Sequence, residues 1–419
     1  MRTRGGSSSL QHRKAAWACV CIFLLAVSAS FLYIVFTGTY NGDFYGVPER
    51  LGLLPQLLLY LTTLLPYGMV WWMYRAFKRR PVRGSIPVPD RLVTVVYFVL
   101  LAWFVFLTIK YDVGVLGRPL YEAPATITPL IQVTNRINPF YLGVLFILTH
   151  QGRRSTLWIG IAGLIALGIL RAGLGVFIYV ALALVVRHHA QIVEYTKRNR
   201  TKLLLIATLF PLFVSQMYEV RSMLRDSQSV EIAMSLTDVV VAKFVGRLSG
   251  LSNSAMVVQE TSYFERESRN LDTFYFQRQA SAGFLGVSVV PDYIPERMLI
   301  NINGGNFFDV SFMVGVVGNL YIAWLISPWL ALLDIATILA MCAATFLLLR
   351  KLRFPLANEF ALLLLLYPLT SGVSTEFSIV VAAALSFCVL FAVLAIRLVG
   401  RRSPRPRGPT PERTHLAVE

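Results

Sequence analysis

The sequence predicts an all-α integral membrane protein of about 10 (10–12) transmembrane helices, built around one large outer loop. Three observations carry this. Of the 419 residues, 56% are apolar and 15% charged, and mean hydropathy is +0.62; several apolar runs reach the roughly 20 residues needed to cross about 30 Å of hydrocarbon. Residues 219–308 contain no such run and concentrate Arg, Tyr, Phe and carboxylates, whereas a mere connection between helices is far shorter. Lys and Arg gather at alternate ends of the apolar runs, which orients the chain by the positive-inside rule. Residues 1–400 are thus expected to form one polytopic domain carrying the loop 219–308. The basic, Pro-rich residues 401–419 are expected to form a disordered cytoplasmic tail.

Taken in order, Ala15 to Thr37 reads as an uncleaved first anchor, because apolar residues continue past Ala26-Val27-Ser28-Ala29-Ser30. Leu53 to Tyr74 is the second span, and the cluster Arg75, Lys78, Arg79, Arg80, Arg83 and Arg91 places its end in the cytoplasm. Leu92 to Ile109 crosses outward, and Asn138 to Thr149 returns to Arg153-Arg154. Thr156 to Val186 is expected to be a hairpin, since a single helix would export Arg187, Lys197 and Arg198. About 31 residues make only about 46 Å of helix, short of the roughly 60 Å that two passes need. The tip Leu170-Arg171-Ala172-Gly173 should therefore lie recessed, and an arginine at membrane depth is a functional hypothesis by default. His188-His189 reads as a solvated helix end.

Lys202 to Tyr218 leads out to the large loop. There Leu236, Val240, Phe244, Leu248, Leu251, Ala255 and Val258 recur at steps of three and four, the pattern of an amphipathic helix. Between Asp309 and Leu349 one crossing is expected, from Trp329, after a re-entrant or interfacial segment through Gly315, Gly318 and Pro328. A last hairpin, Pro355 to Leu398, turns outside at Ser371 to Glu376. On this topology both termini are cytoplasmic, and the net charge of +17 is mostly a topology signal with no need for nucleic acid. The four cysteines lie inside apolar runs and read as small buried hydrophobes. The five histidines are too scattered to suggest a metal site.

Arginines kept in an outer loop point to an anionic ligand, because the planar guanidinium donates bidentate, charge-assisted hydrogen bonds to phosphate. No Gly-rich nucleotide loop, Asp-x-Asp pair or nucleophile elbow accompanies them. The layout resembles the O-antigen polymerase (Wzy) family: many spans, a short Arg-bearing hairpin in mid-chain, then one large outer loop. The local match lies in Leu170-Arg171-Ala172-Gly173, in Phe244-Val245-Gly246-Arg247-Leu248-Ser249, and in Asn306-Phe307-Phe308 before Gly315 and Gly318.

The resemblance implies the GT-C-like polymerase and ligase architecture in a bacterial inner membrane. It also implies polymerisation of undecaprenyl-pyrophosphate-linked repeat units into O-antigen or capsule, with no cofactor or metal and with a chain-length regulator as a candidate partner. Such a transfer needs cations for the departing pyrophosphate, for which Arg171, Arg247 and Arg278 are candidates with Arg297 behind them. It also needs a base for the acceptor hydroxyl, for which Asp309, Glu376 and Glu260 are candidates. An O-antigen ligase would rely on an outer-face histidine that this chain lacks, and a transporter would show internal repeats. A polyprenyl-phosphate-sugar transferase would show acidic pairs in its first outer loop, where this chain has a lone Asp43 and Glu49.

Overall fold

The computed structural model describes residues 4–79, 84–115, 123–171, 173, 175–202, 208–209, 212, 216, 245–285, 294–302 and 313–400. They are predominantly helical. Six helices are long and apolar enough to cross a membrane: α1 (Arg4–Thr37), α2 (Leu53–Arg79), α3 (Asp90–Tyr111), α7 (Gly175–Arg198), α14 (Pro328–Leu349) and α16 (Ser374–Gly400). Three shorter apolar helices accompany them: α5 (Pro139–Thr149), α6 (Arg154–Leu170) and α13 (Val316–Ile326). The chain is therefore an all-α protein of membrane type.

At the centre stands α15 (Ala357–Ser371), packed by α1, α2, α5, α7, α14 and α16. All its residues except Tyr367 are buried. Its run of five leucines, Leu362 to Leu366, explains this, since a helix apolar on every side has no face to offer water. One end of the bundle is locked by polar bonds. Lys78 pairs with Glu359, and the Tyr74 hydroxyl donates to the same Glu359 Oε1 at 2.8 Å. Beside them Phe77 stacks on Phe346, and β1 (Ile86–Pro87) pairs in parallel with β2 (Leu352–Arg353). The basic last turn of α2 and the basic residues after α14 thus share one end of the bundle, as the charge pattern requires.

The hairpin expected between Thr156 and Val186 is present as α6 and α7, turning at Arg171. Its second arm outruns the expectation. The helix continues to Arg198, so His188 sits half-buried at a kink inside α7 instead of at a solvated end. The return crossing at Asn138 to Thr149 is an 11-residue helix, about 16 Å long and half the hydrocarbon thickness. The segment expected to be re-entrant or interfacial before Trp329 is the 11-residue helix α13, entered through irregular backbone at Gly315. Most of the run 202–218, the loop positions 219–244 and the tail 401–419 lie outside the described residues.

The expected amphipathic helix through Leu248 and Val258 is broken. The short α8 (Gly246–Ser249) ends at Gly250 with φ +63°, and α9 (Leu251–Gln259) restarts there. Leu248, Leu251 and Ala255 are buried against the bundle. Steps of three and four also run through a tight break when both halves face one core, so periodicity alone could not reveal it. Further along lie α10 (Thr261–Ser268), α11 (Tyr275–Leu285) and α12 (Pro295–Ile302); α11 packs along α16.

Candidate functional site

Three loops meet where α15 turns into α16. Gly372 (φ +69°) and Gly315 (φ +79°) touch so closely that a Cβ on Gly372 would lie 2.2 Å from the Gly315 carbonyl carbon. Gly315 N–H donates to the Ser371 carbonyl at 2.9 Å, and Asn319 Nδ2 donates to the Gly372 carbonyl. Gly250 abuts the Thr370 carbonyl. Left-handed backbone in such contact is open only to glycine at low cost.

The depth of this junction follows from α2. Thr370 Oγ1 shares a 2.7 Å hydrogen bond with the Tyr67 hydroxyl. Tyr67 lies 14 steps from Leu53 and 12 from Arg79, about 21 Å and about 18 Å along the helix. The α15–α16 turn is therefore recessed to the middle of α2, and α8 and α9 reach down to meet it.

Arg247 lies beside this junction and is paired. Asp43 Oδ1 accepts from its Nε at 3.1 Å and from its Nη2 at 2.9 Å. The other oxygen, Oδ2, accepts from Asn253 Nδ2 at 3.0 Å. Asp43 keeps 5% of its side chain exposed and Arg247 20%. Two glycines make the pairing possible, because the backbones of Gly42 and Gly246 approach until a Cβ on Gly246 would lie 2.3 Å from Gly42 N. Asn41 strengthens the seam, accepting from Ser30 and Ser252 hydroxyls at its Oδ1. Glu260 follows α9, half-buried and within electrostatic reach of Tyr40.

Glu376 stands in the first turn of α16, where its Oε2 accepts from the Ser371 hydroxyl. It is within electrostatic reach of Tyr141, Tyr179 and Tyr367, and Tyr367 in turn of Arg247 and Asp43. The tyrosine rings form a chain, with centroids 5.5 Å apart for Tyr141–Tyr179 and 6.2 Å for Tyr179–Tyr367. A second carboxylate is near. Glu296 on α12 is 8% exposed, its Oε2 has no hydrogen-bond partner, and it is electrostatically coupled to Glu376. Burial holds the Glu296 carboxyl above its ordinary value, with Gln279 partly offsetting it; Gln279 Oε1 also accepts from Ser374 Oγ at 3.0 Å.

The other candidates are placed differently. Arg171 is 8% exposed, and its described contacts lie on α3 and the turn beyond. Its Nε donates to Thr108 Oγ1 at 3.0 Å, its guanidinium carbon sits 5.4 Å from the Phe104 ring centroid, and the Gly114 backbone presses against it. Its Nη2 is buried without a hydrogen-bond partner. Arg278, 70% exposed, pairs with Asp272 at the surface. Arg297 is half-buried beside Glu296, and Asp309 lies outside the described residues. So Arg247 and Glu376 are brought to one site, with Glu260 on its border, while Arg171 and Arg278 are held elsewhere.

The sequence pattern missed Asp43, Glu296 and the tyrosines. The signal for Asp43 was present as two Gly-charge dipeptides of opposite sign, Gly42-Asp43 and Gly246-Arg247. Among the described residues no group of three or more His, Cys, Asp or Glu is placed to hold a metal ion. The arrangement offers an oriented guanidinium, hydrogen-bonding carboxylates and aromatic walls, which suits an anionic ligand carrying polar groups. No family model, curated protein or solved structure matches the chain.

Proposed function

We propose that this chain polymerises undecaprenyl-pyrophosphate-linked oligosaccharide repeat units into surface polysaccharide, at the outer face of a bacterial inner membrane. One observation carries the reading: an Arg247–Asp43 pair and the Glu376 carboxylate are gathered around a recessed turn in a bundle of apolar helices. Substrates with a membrane-bound tail and a charged, sugar-bearing head require that combination. In the proposed topology nine described helices cross, α1, α2, α3, α5, α6, α7, α14, α15 and α16; the tenth expected crossing, at 202–218, lies mostly outside the described residues. Both termini are cytoplasmic, and α13 dips in from the outer side. The short α5 and α15 fit this only with recessed turns at their ends, the GT-C-like feature of the proposal.

In the reaction, an acceptor sugar hydroxyl attacks the anomeric carbon that carries the pyrophosphate. The new C–O bond forms as the bond to the pyrophosphate oxygen breaks, and that oxygen keeps the electron pair. Arg247 stabilises the growing phosphate charge, and the hydroxyl proton passes to Glu376. Arg171, engaged by Thr108 and Phe104, lies apart from this cluster and takes no part in the proposed step. A chain-length regulator is the partner this activity calls for.

A second reading, transfer from a polyprenyl-monophosphate sugar with Asp43 as the base, is favoured by the place of Asp43 at the centre of the cluster. The test uses purified protein in lipid vesicles with lipid-linked repeat units. Pyrophosphate donors should give a ladder of polymers that Arg247→Ala and Glu376→Gln abolish at matched protein level. Extension only from monophosphate donors would replace the polymerase reading with the second one, and ladders unaffected by both substitutions would remove these residues from the chemistry.

A further inference from the structure

A cavity of about 150 Å³ opens on the seam between α1 and α2, at the end of the bundle where Lys78 pairs with Glu359. Arg13, Arg75, Lys78 and Arg79 line it, together with Tyr74. Its back wall is fixed to the core, because Tyr74 and Lys78 both reach the Glu359 carboxylate, which is 2% exposed. The other three cations are not held in this way. Arg13, Arg75 and Arg79 are exposed, and among the described residues no carboxylate forms an ion pair with any of them. Like charges drawn to one cavity repel each other, and an anion seated among them removes that repulsion.

The layer beneath the cations identifies the kind of anion. Trp17 follows Arg13 by four residues on α1, and Trp71 precedes Arg75 by four on α2, so on each helix a tryptophan lies about 6 Å along the axis from an arginine. The two indoles meet across the seam with ring centroids 4.8 Å apart, and Trp71 stacks on Tyr74 at 5.0 Å, which sets both helices at one level. Tryptophan favours the level of the lipid head groups. Further along α2, Trp72, Met69 and Leu65 are exposed at steps of three and four residues, an apolar stripe leading away from the cavity. A free anion has use only for the cations. A phospholipid uses all three layers, with phosphate, glycerol and acyl chain in that order.

We infer that this cavity binds the phosphate of an anionic phospholipid of the cytoplasmic leaflet, the leaflet that the proposed topology assigns to this end. The guanidiniums of Arg13, Arg75 and Arg79 donate hydrogen bonds to the phosphate oxygens. Trp17 and Trp72 flank the glycerol, and the acyl chains lie along α2. A cavity of this size admits a phosphate group and excludes a partner helix, which is about 10 Å across. The lipid ties α1 to α2 and, through Lys78 and Glu359, to the central α15. The site does not depend on the polymerase reading and takes no part in its chemistry.

The test is native mass spectrometry of the purified protein in detergent, titrated with phosphatidylglycerol or with phosphatidylcholine of the same acyl chains. Phosphatidylglycerol should bind in preference. Arg13→Gln, Arg75→Gln and Arg79→Gln together should weaken it roughly 100-fold, at about a factor of five for each cation near the surface. These side chains are exposed and the Lys78–Glu359 pair is left intact, so the melting temperature should not change. Should the triple variant be unstable, Arg13→Gln alone gives the same readout with about a fivefold loss. Arg153→Gln, Arg154→Gln and Lys197→Gln together remove the same charge from exposed positions elsewhere and should leave the affinity unchanged. Equal losses from the two triple variants would overturn the inference, as would phosphatidylcholine binding as tightly as phosphatidylglycerol. Displacement of the lipid by millimolar inorganic phosphate would also overturn it, in favour of a soluble anion.

Discussion

Replacing Gly372 by alanine separates two costs that usually come together. The left-handed backbone at φ +69° costs an L-residue roughly 1–2 kcal/mol by itself. The new methyl would also lie 2.2 Å from Gly315 C and 2.4 Å from Val316 N, where ordinary contact begins at 3.4 Å. Those atoms are backbone and cannot rotate away, so the loops must part by about 1.2 Å (3.4 − 2.2). That strains the Gly315 N–H to Ser371 carbonyl bond and the Asn319 bond to Gly372. Each buried group left unsatisfied costs about 1–3 kcal/mol. Gly372→Ala should thus lose roughly 3–8 kcal/mol in all. Gly46 has a similar φ of +81° and nothing within 4 Å of its added Cβ, so Gly46→Ala should lose only the roughly 1–2 kcal/mol backbone cost. Equilibrium unfolding of both variants in mixed micelles, titrated with SDS, measures the difference. Equal losses would refute the claim that the α15–α16 turn is held against the entry to α13.

Two further outcomes are expected. Asp43→Asn and Arg247→Gln should each destabilise by about 2–4 kcal/mol, somewhat below the 3–5 of a wholly buried pair because Arg247 is partly exposed, and a double-mutant cycle should return a coupling well above about 0.5 kcal/mol; additive losses would show that the pair contributes nothing. Glu296 has a folded-state pKa raised by burial from 4.5, so the native state binds the extra proton and stability falls as pH rises through the folded value. Melting should therefore decline as pH rises above 4.5 more steeply in the native protein than in Glu296→Gln, and parallel curves would mean that burial does not raise the Glu296 carboxyl.

Much of the architecture was legible because its signals are one-dimensional. Leu53 to Tyr74 and Leu92 to Ile109 are long apolar runs with basic flanks, and their helices begin and end within a few residues of those runs. The hairpin at Arg171 followed from charge and length alone. The site was only half legible. Arg247 follows a glycine and Glu376 lies four residues after one, but their neighbours arise from contacts between distant segments. Tyr179 and Tyr367 read as ordinary apolar-helix residues until α7 and α15 pack, and the partner of Arg247 lies 204 residues away. Arg171 carried the strongest sequence argument, yet Thr108 and Phe104 engage it, which only the α3–α6 packing reveals.

The central position of α15 has a consequence for how the molecule is made. Ribosomes add about 5–20 residues per second, so the 204 residues between Asp43 and Arg247 take about 10–40 s to appear. Tyr67 waits longer still, since Thr370 is 303 positions further on. For that time α1, α2, α3, α5, α6 and α7 have been delivered to the membrane around a centre that does not yet exist. The nascent bundle must keep a helix-wide opening, filled by lipid or by the insertion machinery, with Tyr67 on its wall awaiting Thr370. The last large insertion then closes the scaffold and the polar cluster in one event. A chain stopped before Ala357 would carry most of its membrane helices and none of its keystone, a form that membrane proteases can tell from the finished protein.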